Sequence, residues 1–104
     1  MTTNEQKRLM HSIFMTMMTG GQLSNQQMMA KILKGVYVLL GSQEGLSTDE
    51  CDNCLLYFFQ DYSKGCSRPL PDSYIKTNMI PIVKNFGSAD IAWGASLITA
   101  AKMK

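Results

Sequence analysis

The chain has 104 residues, 45% of them apolar and 17% charged, with ten Lys+Arg, eight Asp+Glu and one His for a formal charge of +2. That length suits one domain and is too short for a doubly wound nucleotide-binding domain carrying a second substrate domain. The apolar fraction is too high for disorder, no apolar run approaches the length needed to cross a bilayer, and no basic segment leads into an apolar stretch as in a secretory signal.

Residues 4–18 read as a first helix. Leu9, Met10, Ile13, Phe14, Met17 and Met18 recur at spacings of three and four, which makes one apolar stripe, with Glu5, Lys7, Arg8, His11 and Ser12 opposite. Gly20-Gly21 ends it, because glycine takes a left-handed helix terminus without steric cost. Ser24, with Gln27 three residues on, predicts a capping box and a second helix to about Leu40, stopped by Gly41. Its second half is apolar nearly all round, which makes it the central helix. Ser47-Thr48-Asp49-Glu50 predicts a second capping box. The third helix that follows has Leu55, Phe58, Phe59 and Tyr62 as its core stripe and Gly65 as its end.

Cys66 to Asp72 is a loop, with Pro69 and Pro71 bracketing Leu70. A fourth helix starts at about Asp72 or Ser73 and stops at Gly87; because Pro81 lacks a backbone donor, it is expected to kink, or to split into two short helices, near Asn78. Ser88 is expected to cap a fifth helix containing Ile91, Trp93, Leu97 and Ile98. Its small residues, Ala89, Ala92, Gly94, Ala95 and Ala100, let another helix approach closely, and Trp93 is expected on the Leu39/Phe58 layer. The expected fold is all-α, a compact five-helix bundle of two successive helical hairpins plus a C-terminal helix pair, as a single domain over residues 1–104. A shift of 23 residues lays Gln22-Leu23-Ser24 over Gly45-Leu46-Ser47, which two consecutive hairpins explain without a solenoid.

Chemistry is sparse. Cys51-Asp52-Asn53-Cys54 is a C-x-x-C at a helix start, where free backbone donors stabilise a thiolate, but Asp49, Glu50 and Asp52 oppose one. No strand precedes it as a thioredoxin-like site requires, and Cys54, one turn before Phe58, reads as a core thiol. A zinc site would have to gather Cys66 and His11 from distant segments. Gly21, Leu23, Ser24 and Gln27 keep the rhythm of a calcium loop, but Thr16, Met18 and Gly20 stand where acidic or amide ligands belong. Val36 to Glu50 resembles the acidic helical bundles of the tellurite-resistance B-like class in its apolar helix, glycine turn and Ser-x-x-Glu cap. The acidic turn is reduced to Glu44-Gly45, so the chain is not assigned to that class. No glycine-rich phosphate loop, nucleophile elbow or paired acid–base constellation is present. No enzyme, cofactor or metal is expected.

Charge is unevenly placed along the chain. Residues 35–63 contain five acids and no Lys or Arg, while both flanks are basic. Methionine is frequent, with nine in all and six between Met10 and Met29, and flexible thioethers suit either a soft core or a partner groove. Met15 and Tyr57 fall off the core stripes. The expected function is therefore protein binding: a small inhibitor, immunity-type or antidefence protein of the cytoplasm that occludes a partner with a basic surface. The expected contact residues are Glu44, Asp49, Glu50, Asp52, Tyr57 and Asp61, with the acids steering and the tyrosine anchoring. Two alternatives stand beside it. One is a nucleic-acid-binding helical domain using Lys76 and Lys84, with Asn78 and Asn85. The other is a thiol or metal protein built on Cys51-x-x-Cys54.

Overall fold

The computed structural model describes residues 1–104 and contains helices and turns only. Helix α1 spans Thr3–Thr19, α2 Gln26–Ser42 and α3 Thr48–Lys64. A composite helix α4 joins Asp72–Tyr74, a π-helical segment Ile75–Met79 and Ile80–Lys84, and α5 spans Ile91–Lys102. This is the expected all-α five-helix bundle; its closest pairings are α1 with α3 and α2 with α5, rather than the α1–α2 hairpin and C-terminal pair expected from chain order.

Each start has a side-chain acceptor or a proline behind it. Ser47 and Glu50 form the expected capping box on α3, with Glu50 N–H donating to Ser47 Oγ at 3.2 Å and Ser47 N–H to Glu50 Oε1 at 3.0 Å. Thr2 and Glu5 form a second box on α1 that the apolar pattern did not reveal. Two expected caps move. Asn25, not Ser24, caps α2 by accepting from Met28 N–H at 3.0 Å. Ser24 instead turns back to donate to the Gly21 carbonyl at 2.8 Å, closing the turn that Gly21 makes at φ +73°. Asp90, not Ser88, caps α5 and accepts from Trp93 N–H at 2.9 Å. Asp90 holds that place because its own N–H donates to the Lys31 carbonyl of α2 at 3.0 Å.

Pro81 disturbs the helix around Asn78, as expected, but widens it rather than kinking or breaking it. The proline has no N–H to return to Thr77, and the helix ahead of it widens: Ile80 N–H donates to the Ile75 carbonyl, five residues back. Asn78 Nδ2 donates to the Tyr74 carbonyl at 3.3 Å within the same segment. Helix α4 ends at Lys84, before the expected Gly87, and α2 continues through Gly41 to Ser42.

One core joins all five helices. Helix α2 is central as expected, packing on α3, α4 and α5. Its crossing with α5 is set by two glycines. A Cβ on Gly94 would lie 2.9 Å from the Gly35 carbonyl carbon and the Val36 nitrogen. A Cβ on Gly35 would lie 2.2 Å from the Asp90 carbonyl oxygen. Phe58 is fully buried and meets Phe14 and Phe59 edge to face, at centroid distances of 5.6 and 5.4 Å. Trp93 is absent from this layer. Gly94, Leu97 and Ile98 turn inward, which leaves Trp93 on the flank, 39% exposed, with its indole N–H donating to Gln22 Oε1 at 3.2 Å.

Candidate functional site

The six residues expected to form an acidic docking face separate around the bundle. Glu44, in the α2–α3 turn, pairs with Lys102 at the end of α5. Asp52 lies on the α4 side of α3, where Lys84 Nζ is 3.1 Å from Oδ2 and the Tyr37 hydroxyl donates to Oδ1 at 2.8 Å. Asp61 lies on the α1 side, with His11 Nδ1 at 3.1 Å from Oδ2 and Lys64 Nζ at 3.5 Å from Oδ1. Glu50 is committed to its cap and accepts from Gln6 Nε2 at 3.0 Å. The N–H donated by Ser47, with help from the Ser47 hydroxyl and Gln6, holds the Glu50 carboxyl below the usual carboxylate range. Lys7 Nζ sits 5.4 Å from the centre of the half-buried Tyr57 ring. Of the five acids only Asp49 is exposed without an ion pair or side-chain bond, and it shares a shallow groove with Asp52, Lys76 and Lys84. The run of acids in the sequence therefore does not become one unpaired acidic surface, because basic flanks fold against it.

The alternatives are also placed. Burial, with Asp52 and Glu50 adding to it, pushes the Cys51 thiol up, and burial pushes Cys54 up to about 12. Both stay protonated at neutral pH, and the Cys51 thiol points to the Leu46 carbonyl at 3.9 Å. Cys66 lies apart, 3.6 Å from the Tyr62 carbonyl, and all three cysteines are free. No three His, Cys, Asp or Glu side chains converge as a metal site would need. Lys84 is engaged by Asp52, and Lys76 shares its groove with two acids, so the basic face expected on α4 is locally balanced. No helix is long and apolar enough to cross a membrane.

A different surface gathers at the start of α2. Two grooves flank the first turns of that helix. The first, of about 530 Å³, is bordered by Met28, Ile32, Phe86 and Trp93 with the amides of Gln22 and Asn25. The second, of about 380 Å³, lies between α2, α3 and the π-helical part of α4. Nine of its eleven lining residues are hydrophobic, among them Met29, Phe59, Tyr62, Tyr74 and Ile82. Together the two grooves contain only Lys31 and Asp90 as charged residues. Ile82 is 61% exposed, Tyr74 47% and Met28 46%, so large apolar side chains project on both sides of α2. From sequence, Phe59 and Tyr62 are expected only as core, and Phe86, Tyr74 and Ile82 are not singled out at all. The lining residues come from four separate segments, and the signal available was negative: positions 69–75 and 77–83 carry one acid between them and no Lys or Arg.

Comparison of the chain with protein-family models, with curated proteins and with solved structures returns no match.

Proposed function

We propose that the protein is a non-catalytic protein-binding module, a small inhibitor, immunity-type or antidefence protein that occludes a macromolecular partner. The observation that carries this reading is the nearly charge-free, aromatic- and methionine-lined surface around the start of α2. Interface centres are enriched in Tyr, Trp, Phe and Met and depleted in charge, which is the composition found there. Trp93 and Ile82 are the anchors, and Met28 and Met79 supply adaptable packing around them. The acidic residues take a lesser part than their sequence density suggests: four of the five are engaged within the molecule, and breaking those contacts would offset what a basic partner gains. We place the protein in the cytoplasm, where Cys51, Cys54 and Cys66 stay as thiols.

The test is co-purification of partners from the native cell with tagged wild type, Trp93→Ala, Ile82→Asp and Asp49→Lys proteins, each first checked for unchanged helicity. The expected result is a stoichiometric protein held by wild type and Asp49→Lys and lost from the other two. Retention by Trp93→Ala and Ile82→Asp, or loss from Asp49→Lys alone, would return the contact to the acidic residues.

A further inference from the structure

The surface around Asp61, one of the acids expected to meet a basic partner, is itself basic once α1 lies beside it. An open groove of about 650 Å³ runs between the two helices, with Lys7, Arg8 and His11 on one wall and Tyr57, Gln60, Asp61 and Lys64 on the other. Asp61 is the only acid lining it, and both its oxygens are already held, one by His11 and one by Lys64. Neither Lys7 nor Arg8 makes an ion pair within the molecule, although Arg8 lies near the capping Glu5, and Lys7 rests over the Tyr57 ring. Two cations without an ion pair, a third shared with Asp61 and a half-buried aromatic ring therefore face one channel.

We infer that this groove binds an acidic peptide segment. Charge complementarity selects an anion. Its length selects the kind. Tyr57 to Lys64 covers about 10 Å of helix, which matches about three residues of extended chain. Beyond Tyr57, toward the start of α3, the acid on the α1 side is Glu50, whose carboxylate accepts from Gln6 Nε2 of α1 at 3.0 Å. A polynucleotide is a continuous line of charge and would be carried onto that acid, whereas a short Asp/Glu-rich segment ends before it. Arg8 offers a planar fork for a carboxylate, and Lys7 can leave the Tyr57 ring for a second one. The partner this groove fits is thus opposite in sign to the basic one expected at Asp61. The inference stands apart from the uncharged surface around α2.

The experiment is fluorescence anisotropy with three labelled probes: a peptide of alternating Glu and Asp, the same length of alternating Gln and Asn, and a thymidine oligonucleotide. The acidic peptide should bind at low salt and weaken several-fold between about 20 and 200 mM salt, as screened charges do. The double variant Lys7→Glu, Arg8→Glu should lower its affinity at least tenfold, and Asp61→Asn should raise it. Trp93→Ala should leave it unchanged, which separates this site from the surface proposed above. Equal binding of the amide peptide, tighter binding of the oligonucleotide, no binding of the acidic peptide at low salt, or indifference to the double charge reversal would each overturn the inference. Circular dichroism of the variants guards against misfolding; if the reversal unfolds the chain, Lys7→Gln and Arg8→Gln are read in the same way.

Discussion

Replacing Gly35 with alanine tests the α2–α5 crossing directly. The added Cβ would stand 2.2 Å from the Asp90 carbonyl oxygen and 2.7 Å from its carbon, where ordinary contact begins at 3.4 Å. The obstacle is backbone, so it cannot swing aside like a side-chain tip; Asp90 must retreat by roughly 1 Å in a close-packed interior. Two bonds go with it: Asp90 N–H to Lys31 O at 3.0 Å, and the α5 cap from Trp93 N–H at 2.9 Å. Overpacking costs about 1–3 kcal/mol, the cap about 1, the other bond about 1, and alanine returns about 1 through helix propensity. The net is a loss of about 3 kcal/mol, or roughly 12–24 °C in Tm for a domain of this size. Thermal unfolding followed at 222 nm measures it. Gly41→Ala is the control, since its Cβ would meet only Cys51 Sγ at 3.8 Å and the Leu46 carbonyl at 4.0 Å. That variant should gain up to about 0.5–1 kcal/mol. If Gly35→Ala is neutral, or stabilises as Gly41→Ala should, then the close approach of α5 to α2 is not what fixes the crossing.

Other expectations concern the caps, the thiols and the π segment. Ser47→Ala should destabilise by about 1 kcal/mol in urea unfolding, through loss of the α3 cap. The Glu50 carboxyl is held low in the folded state, so its contribution is complete above the unfolded carboxylate range and is lost as pH falls through the folded value. Glu50→Gln should therefore flatten the acid side of a Tm-against-pH curve; an unchanged acid limb would remove the role given to this cap. With a colorimetric disulfide reagent at neutral pH, half-exposed Cys66 should react first, while Cys51 and Cys54 react only on denaturation. A fast Cys51 would revive the thiol reading. Pro81→Ala restores the missing donor and should return residues 75–79 to α-helical register, seen as five-back amide contacts becoming four-back by NMR; persistence of the π turn would assign it to packing of Ile75 and Ile80 instead.

Sequence carried the helices because each was written twice, once in apolar spacing and once in its boundary residues. For α3 the stripe from Leu55 to Tyr62 and the Ser47–Glu50 box agree, and the structure keeps both. Where two neighbours could serve as cap, local pattern did not choose. Ser24 and Asn25 are equivalent by type, and Ser88 and Asp90 nearly so. The choice came from a turn carbonyl in one case and from a bond to α2 in the other. Trp93 was misjudged for a related reason. Helical spacing says which residues share a face, but the glycine at 94 decides which face comes closest, and α5 rolls to bury it. The candidate contact residues were least legible. Charge density along a chain says nothing of the cations that other helices bring, and Lys7, His11, Lys84 and Lys102 all come from outside the acidic stretch.

The C-terminal half of α3 stands between the two surfaces. Phe59 and Tyr62 line the uncharged groove, while Tyr57, Gln60, Asp61 and Lys64 line the basic one. One partner that covers both must carry an acidic segment beside an apolar anchor, and the two contacts would then draw on separate residues of this chain. Double-mutant analysis distinguishes this from two independent ligands. With one partner, Ile82→Asp and Arg8→Glu should each weaken the same complex and their free-energy effects should add, because the side chains line different grooves with no shared neighbour. With two ligands, each variant should abolish one complex and leave the other at wild-type affinity. A single complex weakened by Ile82→Asp and untouched by Arg8→Glu would leave the basic groove outside that interface. Its acidic peptide would then be a separate ligand, measurable only with the synthetic probes.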